Sequence, residues 1–363
     1  MQKHLLPAIT IALGLSMITG CDQESTPRPR DRKSSGTAEH IDEDERAMAA
    51  KLKPVKDPVQ EEIYAFRLAT RKAYNNRRFD ELEKAASEAR ETKAVFGNGS
   101  RKIVQFYGAL ECDGREPESM WRLHEQIHHD WIAAKPKSIT AQVAYADFLT
   151  SYAWQARGNG YADTVTEEGA RLFDERLQAA RQGLEDARSL TDKDPQWWRV
   201  GMTVALGQGW NLGEYDALVA EAKRFDPTFW GYDLARANSL LPRWYGGPGD
   251  WEAYAEKAAA RSDGLGAEVY ARIVINLHGY HENIFRETKA SWPKTRDGLK
   301  LMLKKYPTSL EILSSAAHLA TLAQDREMAK VLFERIGDSY LPNAWPSSES
   351  FCHYRHWAQT GKW

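Results

Sequence analysis

Residues 195–227 read PQWWRVGMTVALGQGWNLGEYDALVAEAKRFDP. Pro195 and Pro227 stand 32 positions apart and bracket two helices. Proline fixes its own φ and disfavours helix in the residue before it, so each marks a boundary where one helix has stopped and another starts. Between them Gly213-Glu-Tyr-Asp-Ala217 occupies the place where a turn gives way to the second helix. Phe225-Asp-Pro227 then punctuates before a helix expected over Thr228 to Leu241.

The same grammar recurs on both sides. Lys135-Pro-Lys-Ser138 opens a helix that runs through Gln155, and Tyr306-Pro-Thr-Ser309 opens another through Leu322. In each, the serine is placed to cap orphan backbone N–H groups. Asp325-Arg-Glu-Met-Ala329 takes the turn-to-helix place after Pro307. Upstream, helices are expected over Pro58–Tyr74 and Phe79–Ala94, joined by the turn Asn75-Asn-Arg-Arg78. Ala65, Leu68, Ala69 and Ala73 keep helical spacing, and Leu82, Ala85, Ala86 and Ala89 are expected to face them. A period close to about 34 residues, built from such hairpins, reads as tetratricopeptide-like. One hairpin cannot bury its own apolar face, so neighbours stack and share a core, giving an array with a concave inner surface. Arg157-Gly-Asn-Gly-Tyr161 and Trp244-Tyr-Gly-Gly-Pro-Gly249 interrupt the spacing. The expected fold is therefore all-α, a degenerate tetratricopeptide-like array of α-hairpins (an α-solenoid) over residues 58–363, without a convincing alternating strand.

The first residues carry an address. Lys3 supplies a basic start, Leu5 to Ile18 are almost wholly apolar, and Ile18-Thr-Gly-Cys21 follows. The apolar run is shorter than the ~20 residues a spanning helix needs and fits a secretory signal. The string resembles the lipobox of a bacterial lipoprotein, in which the residue after the cut is a thiol. Residues 1–20 are thus expected as a signal peptide, with Cys21 lipidated and anchored to the bilayer. Acyl chains contribute about 0.8 kcal/mol per buried methylene, and two or more hold durably. Asp22 matches the enteric rule that retains a lipoprotein at the inner membrane, on the periplasmic side. Residues 21–57 read as the lipidated cysteine and a flexible tether. Thr26-Pro-Arg-Pro-Arg, Lys33-Ser-Ser-Gly and Asp42-Glu-Asp-Glu45 offer little to bury, though part of Ile41 to Lys53 has helical character.

Composition narrows the partners. A formal net charge of −2 gives no electrostatic reason to expect nucleic acid. Apart from Cys21 the chain has only Cys112 and Cys352, too sparse for a disulfide framework, and their pairing is left open. The thirteen tryptophans are spread along the chain, which suggests many separate packing contacts rather than one aromatic site.

Several strings resemble a bacterial group of tetratricopeptide-like domains known only as a domain of unknown function. They are Ser151-Tyr-Ala-Trp-Gln-Ala-Arg-Gly158 with Gly160-Tyr-Ala-Asp-Thr-Val-Thr-Glu-Glu-Gly169, Leu240-Leu-Pro-Arg-Trp-Tyr-Gly-Gly247, and Asn283-Ile-Phe-Arg-Glu-Thr288 with Ser291-Trp-Pro293. Asp325-Arg-Glu and Leu332-Phe-Glu-Arg-Ile-Gly337 complete the set. The resemblance spans Pro58 to Ala358. It implies a helical-repeat fold in a bacterial protein and no particular reaction.

One string carries catalytic chemistry. His124-Glu-Gln-Ile-His128 is a literal His-Glu-x-x-His, whose two imidazoles share a helix face and can bind zinc while Glu125 polarises a water. A zinc peptidase also needs a third ligand. Trp131 and Ala134 stand where an extended zincin pattern would place Gly and His. Downstream, only Asp147 in Tyr-Ala-Asp-Phe is on offer, within an apolar face. The competing reading is packing: Trp121, Leu123, Ile127 and Trp131 form the buried stripe, while His124, Glu125, His128 and His129 border it or face solvent. His278-Gly-Tyr-His281 and His353-Tyr-Arg-His356 have ligand-like spacings but too few partners for a closed site. In the Leu240–Tyr254 segment, Arg243, Trp244 and Tyr245 form a candidate contact loop. The packing alternative there makes Trp244 and Trp251 a wedge, Arg243 a partner for helix-end carbonyls and Asp250 a cap.

The leading expectation is a lipid-anchored envelope scaffold that binds protein or peptide without catalysis and without a cofactor. The alternatives are the zinc metallopeptidase of His124, Glu125 and His128, and a sensor of a small envelope ligand.

Overall fold

The computed structural model describes residues 43–158, 164–190 and 193–363. The signal segment, Cys21, Asp22 and most of the tether lie outside the described residues. So does much of the Arg157–Tyr161 insert. In chain order the helices are α1 (Glu43–Ala49), α2 (Pro58–Asn75), α3 (Phe79–Thr92), α4 (Lys102–Gly108), α5 (Glu118–Ala134) and α6 (Ile139–Arg157). There follow α7 (Glu167–Ala187), α8 (Pro195–Gln208), α9 (Leu212–Phe225), α10 (Gly231–Ser239), α11 (Asp250–Ala259) and α12 (Ala267–Leu277). The last are α13 (Ile284–Glu287), α14 (Trp292–Lys305), α15 (Leu310–Leu322), α16 (Arg326–Ile336) and α17 (Ser348–Thr360). The protein is all-α; its described sheet is two residues wide on each side, β1 (Lys53–Pro54) against β2 (Ser339–Tyr340). No helix among the described residues is long and apolar enough to cross a membrane.

The chain divides into two compact units, one of residues 65–301 and one of residues 43–64 with 302–363. In the larger unit the helices pack in a regular alternation. α6, α8, α10 and α12 contact one another in succession, and α7, α9 and α11 each touch the two helices that flank them in sequence. Hairpins stacked in two layers produce this pattern. The sequence of each layer fits its place. α6 buries Ile139, Ala141, Val143, Phe148, Tyr152 and Trp154, which point around most of its circumference, as an inner helix must. α7 buries a single stripe of Phe173, Leu177, Ala180 and Leu184 and shows charge elsewhere.

Caps set the helix starts. Ser138 Oγ accepts from Ala141 N at 3.0 Å, and Ser309 Oγ accepts from Ile312 N at 3.2 Å, as the Pro-x-Ser spacing predicted. Asn211 and Glu214 form a reciprocal capping box at the start of α9. Pro195 and Pro227 do bracket two helices, α8 and α9. The helix expected from Thr228 is shorter, because it starts at Gly231 and stops at Ser239. Asp250 is the first residue of α11 rather than its cap; its Oδ2 accepts from Gly247 N at 2.7 Å and closes the preceding turn.

Two faces differ from expectation. On α2 Leu68 is 54% exposed and Ala65 and Ala69 also face out. The buried stripe is Ile63, Thr70, Ala73 and Tyr74, with Phe66 half-buried, because the aromatic side chains bury more apolar area than the alanines. On α3 the expected Leu82, Ala86 and Ala89 are buried.

In the smaller unit, residues expected in the tether are folded. Residues 43–49 form α1, which packs on α17, and β1 pairs in parallel with β2. Asp57 is almost fully buried. Its Oδ1 accepts from Val59 N and its Oδ2 from Glu311 N, both at 2.9 Å, so one carboxylate caps α2 and α15 together. Phe333, Trp345, Phe351 and Tyr354 form an aromatic cluster around His318.

Candidate functional site

α5 carries the His-Glu-x-x-His string, and its register decides what the string does. Trp121, His124, Ile127, His128 and Trp131 form the buried stripe, while Leu123 is 44% exposed. The histidines expected at the border or in solvent are therefore core residues, and the expected Leu123 is not. The i, i+3, i+4, i+7 spacing admits this choice equally, and the packing of aromatic neighbours selects it. Tyr74 lies 5.4 Å from the His124 ring and 5.3 Å from the His128 ring, with Phe148 5.1 Å from His128. His129 faces out and meets the Tyr145 hydroxyl at 2.9 Å. Glu125 is half-buried.

This setting keeps both rings neutral. Burial, helped by the Arg71 guanidinium, lowers His124 to about 4. Burial, then the charges of His124, His129 and Arg71, lowers His128 to about 3. Arg71 Nη1 sits 3.4 Å from His124 Nε2, and the Tyr74 hydroxyl 3.4 Å from His124 Nδ1. A guanidinium is always charged and only donates, so it takes the lone pair that a zinc ion would need. No group of three or more His, Cys, Asp or Glu among the described residues is arranged to hold a metal ion. The structure thus brings His124 and His128 onto one face but not into a peptidase constellation.

His128 instead lines a small cleft with room for about one water molecule. The cleft is formed by the end of α4, the segment that follows it, α5 and α6. Two carboxyl groups line it, Glu111 and Asp147, together with the Cys112 thiol and Ser151. Tyr107, Leu110, Ala144 and Phe148 supply apolar walls. His128 is 1% exposed, and neither of its ring nitrogens has a hydrogen-bond partner among the described residues. Burial, then the neighbouring Asp147, pushes Glu111 up to about 7, against the pull of Arg67, Arg199 and Arg71. Burial also raises Asp147, with Asp194 adding to it, while Arg199 and a 2.7 Å hydrogen bond from Gln196 Nε2 act the other way.

The arginines around the cleft are tethered. Arg67 Nη2 donates to Gly108 O, Arg71 Nη2 to Glu111 O, and Arg199 Nε to Gln196 Oε1. Glu111 and the Arg71 contact had no sequence signal, since both depend on the path of the chain after α4. Asp147 did have one: a lone acid in the otherwise apolar face of α6 is costly to bury and so marks a polar opening.

The remaining candidates resolve separately. Trp244 packs edge-on against Trp154 at 5.8 Å, and Trp251 is buried. Arg243 lies 3.6 Å over the Tyr280 ring and donates to Asn238 Oδ1 at 3.2 Å, rather than to helix-end carbonyls. Tyr245 takes that role, donating to Leu206 O at 2.9 Å in the last turn of α8. His278 Nδ1 meets Ile275 O at 2.6 Å, while His281 pairs with Glu287, so these two histidines serve different partners. His353 is buried and stacks near Trp363, 5.4 Å between centroids. Cys112 and Cys352 are both buried and are not bonded to each other. No family model, no curated protein and no solved structure matches the chain.

Proposed function

We propose that this chain is a lipid-anchored protein of the bacterial cell envelope whose tetratricopeptide-like array binds a protein or peptide partner and carries out no chemistry itself. Lipidated Cys21 holds it to the bilayer, and Asp22 directs it to the inner membrane with the array on the periplasmic side. The lipobox string supports the anchor, and the family strings support the repeat fold. The observation that carries the binding reading is the alternating stack of α6 to α12, beside which a buried imidazole and two carboxyls meet in a small cleft. Stacked hairpins offer surfaces to extended ligands because the inner helices hold their side chains rigidly. The Arg71 contact to His124 favours binding over zinc chemistry.

Two measurements test this reading. Metabolic labelling with a fatty-acid analogue is expected to mark the full chain and to be lost in Cys21→Ser. A photo-crosslinking residue placed at Ser151 in the cleft is expected to trap a defined polypeptide in intact cells, whereas one at exposed Glu175 on α7 is not. Equal trapping at both positions, or none at Ser151, overturns the binding reading.

A further inference from the structure

We propose that the outward face of α2 is a contact between two copies of this chain, packed antiparallel about a two-fold axis. The contact does not depend on the partner-binding reading above. Ala65, Leu68 and Ala69 have the helical spacing of a buried stripe, yet all three are exposed, Leu68 by 54%, with exposed Tyr64 beside them. Contiguous apolar side chains left in water mark contact surfaces, where single ones do not. The order of charge along the same stripe names the occupant. Each helical residue turns about 100°, so Glu61, Ala65, Leu68 and Lys72 fall within an arc of about 60°. Spacings of four, three and four residues are those along which two helices meet in a seam. The stripe starts with an acid, ends with a base and is apolar between, and all four residues are exposed.

This stripe is complementary to itself. Its pairs are symmetric about the point midway between residues 66 and 67. A two-fold axis through that point sets Glu61 on the partner's Lys72, Ala65 on the partner's Leu68 and Tyr64 on the partner's Ala69, and each pairing occurs twice. A parallel pairing would instead set Glu61 on the partner's Glu61 and Lys72 on the partner's Lys72, like charge on like. The alanines let the two backbones approach, and each Leu68 fills the space over an alanine. Glu61 is free to turn to a second copy, because its contact with Lys56 is 3.7 Å long between two well-exposed side chains and holds it weakly. One helix crossing covers less than the about 1,200 Å² of standard interfaces, so the expected dimer is reversible.

The test uses the full chain. Two differently tagged versions, one Glu61→Cys and one Lys72→Cys, are produced together and treated with a short bismaleimide. The antiparallel contact puts positions 61 and 72 of different copies side by side and keeps like positions about 16 Å apart along the axis. The mixed crosslink is therefore expected, and the like-with-like crosslinks are not. Sedimentation velocity supplies the second readout. Glu61→Lys and Lys72→Glu are each expected to weaken self-association about tenfold. Mixing these two variants is expected to restore it, since each carries the charge the other needs, and the double reversal is expected to restore it within one chain. A purely structural role for either residue gives no such rescue. Leu68→Glu, at an exposed position, is expected to abolish the dimer with circular dichroism unchanged. A monomeric wild type whose Leu68→Cys thiol reacts freely overturns the contact. A monomer that shields that thiol overturns the second copy and gives the face to another segment of the same chain. A dimer indifferent to Leu68→Glu, or one that crosslinks like with like, overturns the antiparallel pairing.

Discussion

Arg90 Nη1 lies 2.9 Å from Asp194 Oδ2, so α3 is tied to the cap of α8 across 104 positions of chain. Asp194 is fully buried and spends both oxygens. Oδ2 also accepts from the Tyr107 hydroxyl at 2.7 Å, and Oδ1 caps α8 by accepting from Gln196 N at 2.8 Å. Removing it strands a phenol and a backbone N–H and takes the counter-charge from the Arg90 guanidinium, which keeps Thr140 Oγ1 at 2.6 Å. Asp194→Ala is expected to cost about 3–5 kcal/mol, and more than Arg90→Ala. Thermal and urea unfolding of the two variants check this, and an Asp194→Ala loss below that of Arg90→Ala contradicts it.

A close approach makes Gly298 irreplaceable. A Cβ there would sit 2.2 Å from Ala267 O and 2.7 Å from Ala271 Cβ, where α14 crosses the start of α12. Alanine is the better helix former by about 1 kcal/mol, so on propensity alone Gly298→Ala would stabilise. The backbone contact reverses that sign, and a net loss of about 1–3 kcal/mol is expected. A raised urea midpoint would refute the packing described.

The cleft predicts two pH effects of opposite sign. His128 titrates near 3 in the folded chain against an ordinary 6.5, so the unfolded chain binds the extra proton between those values. Its contribution is full above pH 6.5 and is lost as pH falls, by about 1.4 kcal/mol per unit. Glu111, raised to about 7 from an ordinary 4.5, behaves in reverse: the folded chain binds the extra proton, and stability falls as pH rises from 4.5 to 7. Relative to wild type, His128→Phe should therefore gain stability as pH drops below 6.5, and Glu111→Gln as pH rises towards 8. Urea midpoints of the three proteins at pH 5 and pH 8 check both. Parallel pH profiles would rule out the proposed burial.

The Arg243-Trp-Tyr245 loop is expected to matter for stability and not for binding. Tyr245→Phe removes the hydrogen bond to Leu206 O and should cost about 1 kcal/mol. Crosslinking from the residue placed at Ser151 should stay as in the wild type. A large loss of crosslinking in this variant would return the loop to the list of contact sites.

Helix order, most helix starts and the all-α class were legible because Pro-x-Ser and Gly signals act locally. Faces were less so. On α5 the sequence allowed either Leu123 or His124 into the core, and only Tyr74 and Phe148, brought in from α2 and α6, make His124 the better fit. The site was mostly hidden for the same reason. Glu111 stands in an irregular segment, and its meaning comes from Asp147 on another helix. The folded stretch before Asp57 was legible only in its helical part, since its polar composition otherwise reads as a linker until β1 pairs with β2 and Asp57 caps α15.

The Asp57 carboxylate that caps both α2 and α15 joins residues 254 positions apart. Residues 53–57 therefore cannot settle as they emerge; they have to wait for the last helices to be synthesised. Such a distant closure slows assembly and leaves that stretch open to proteases until it is made. A ribosome stalled before residue 302 would release a product in which residues 43–57 have nothing to dock on.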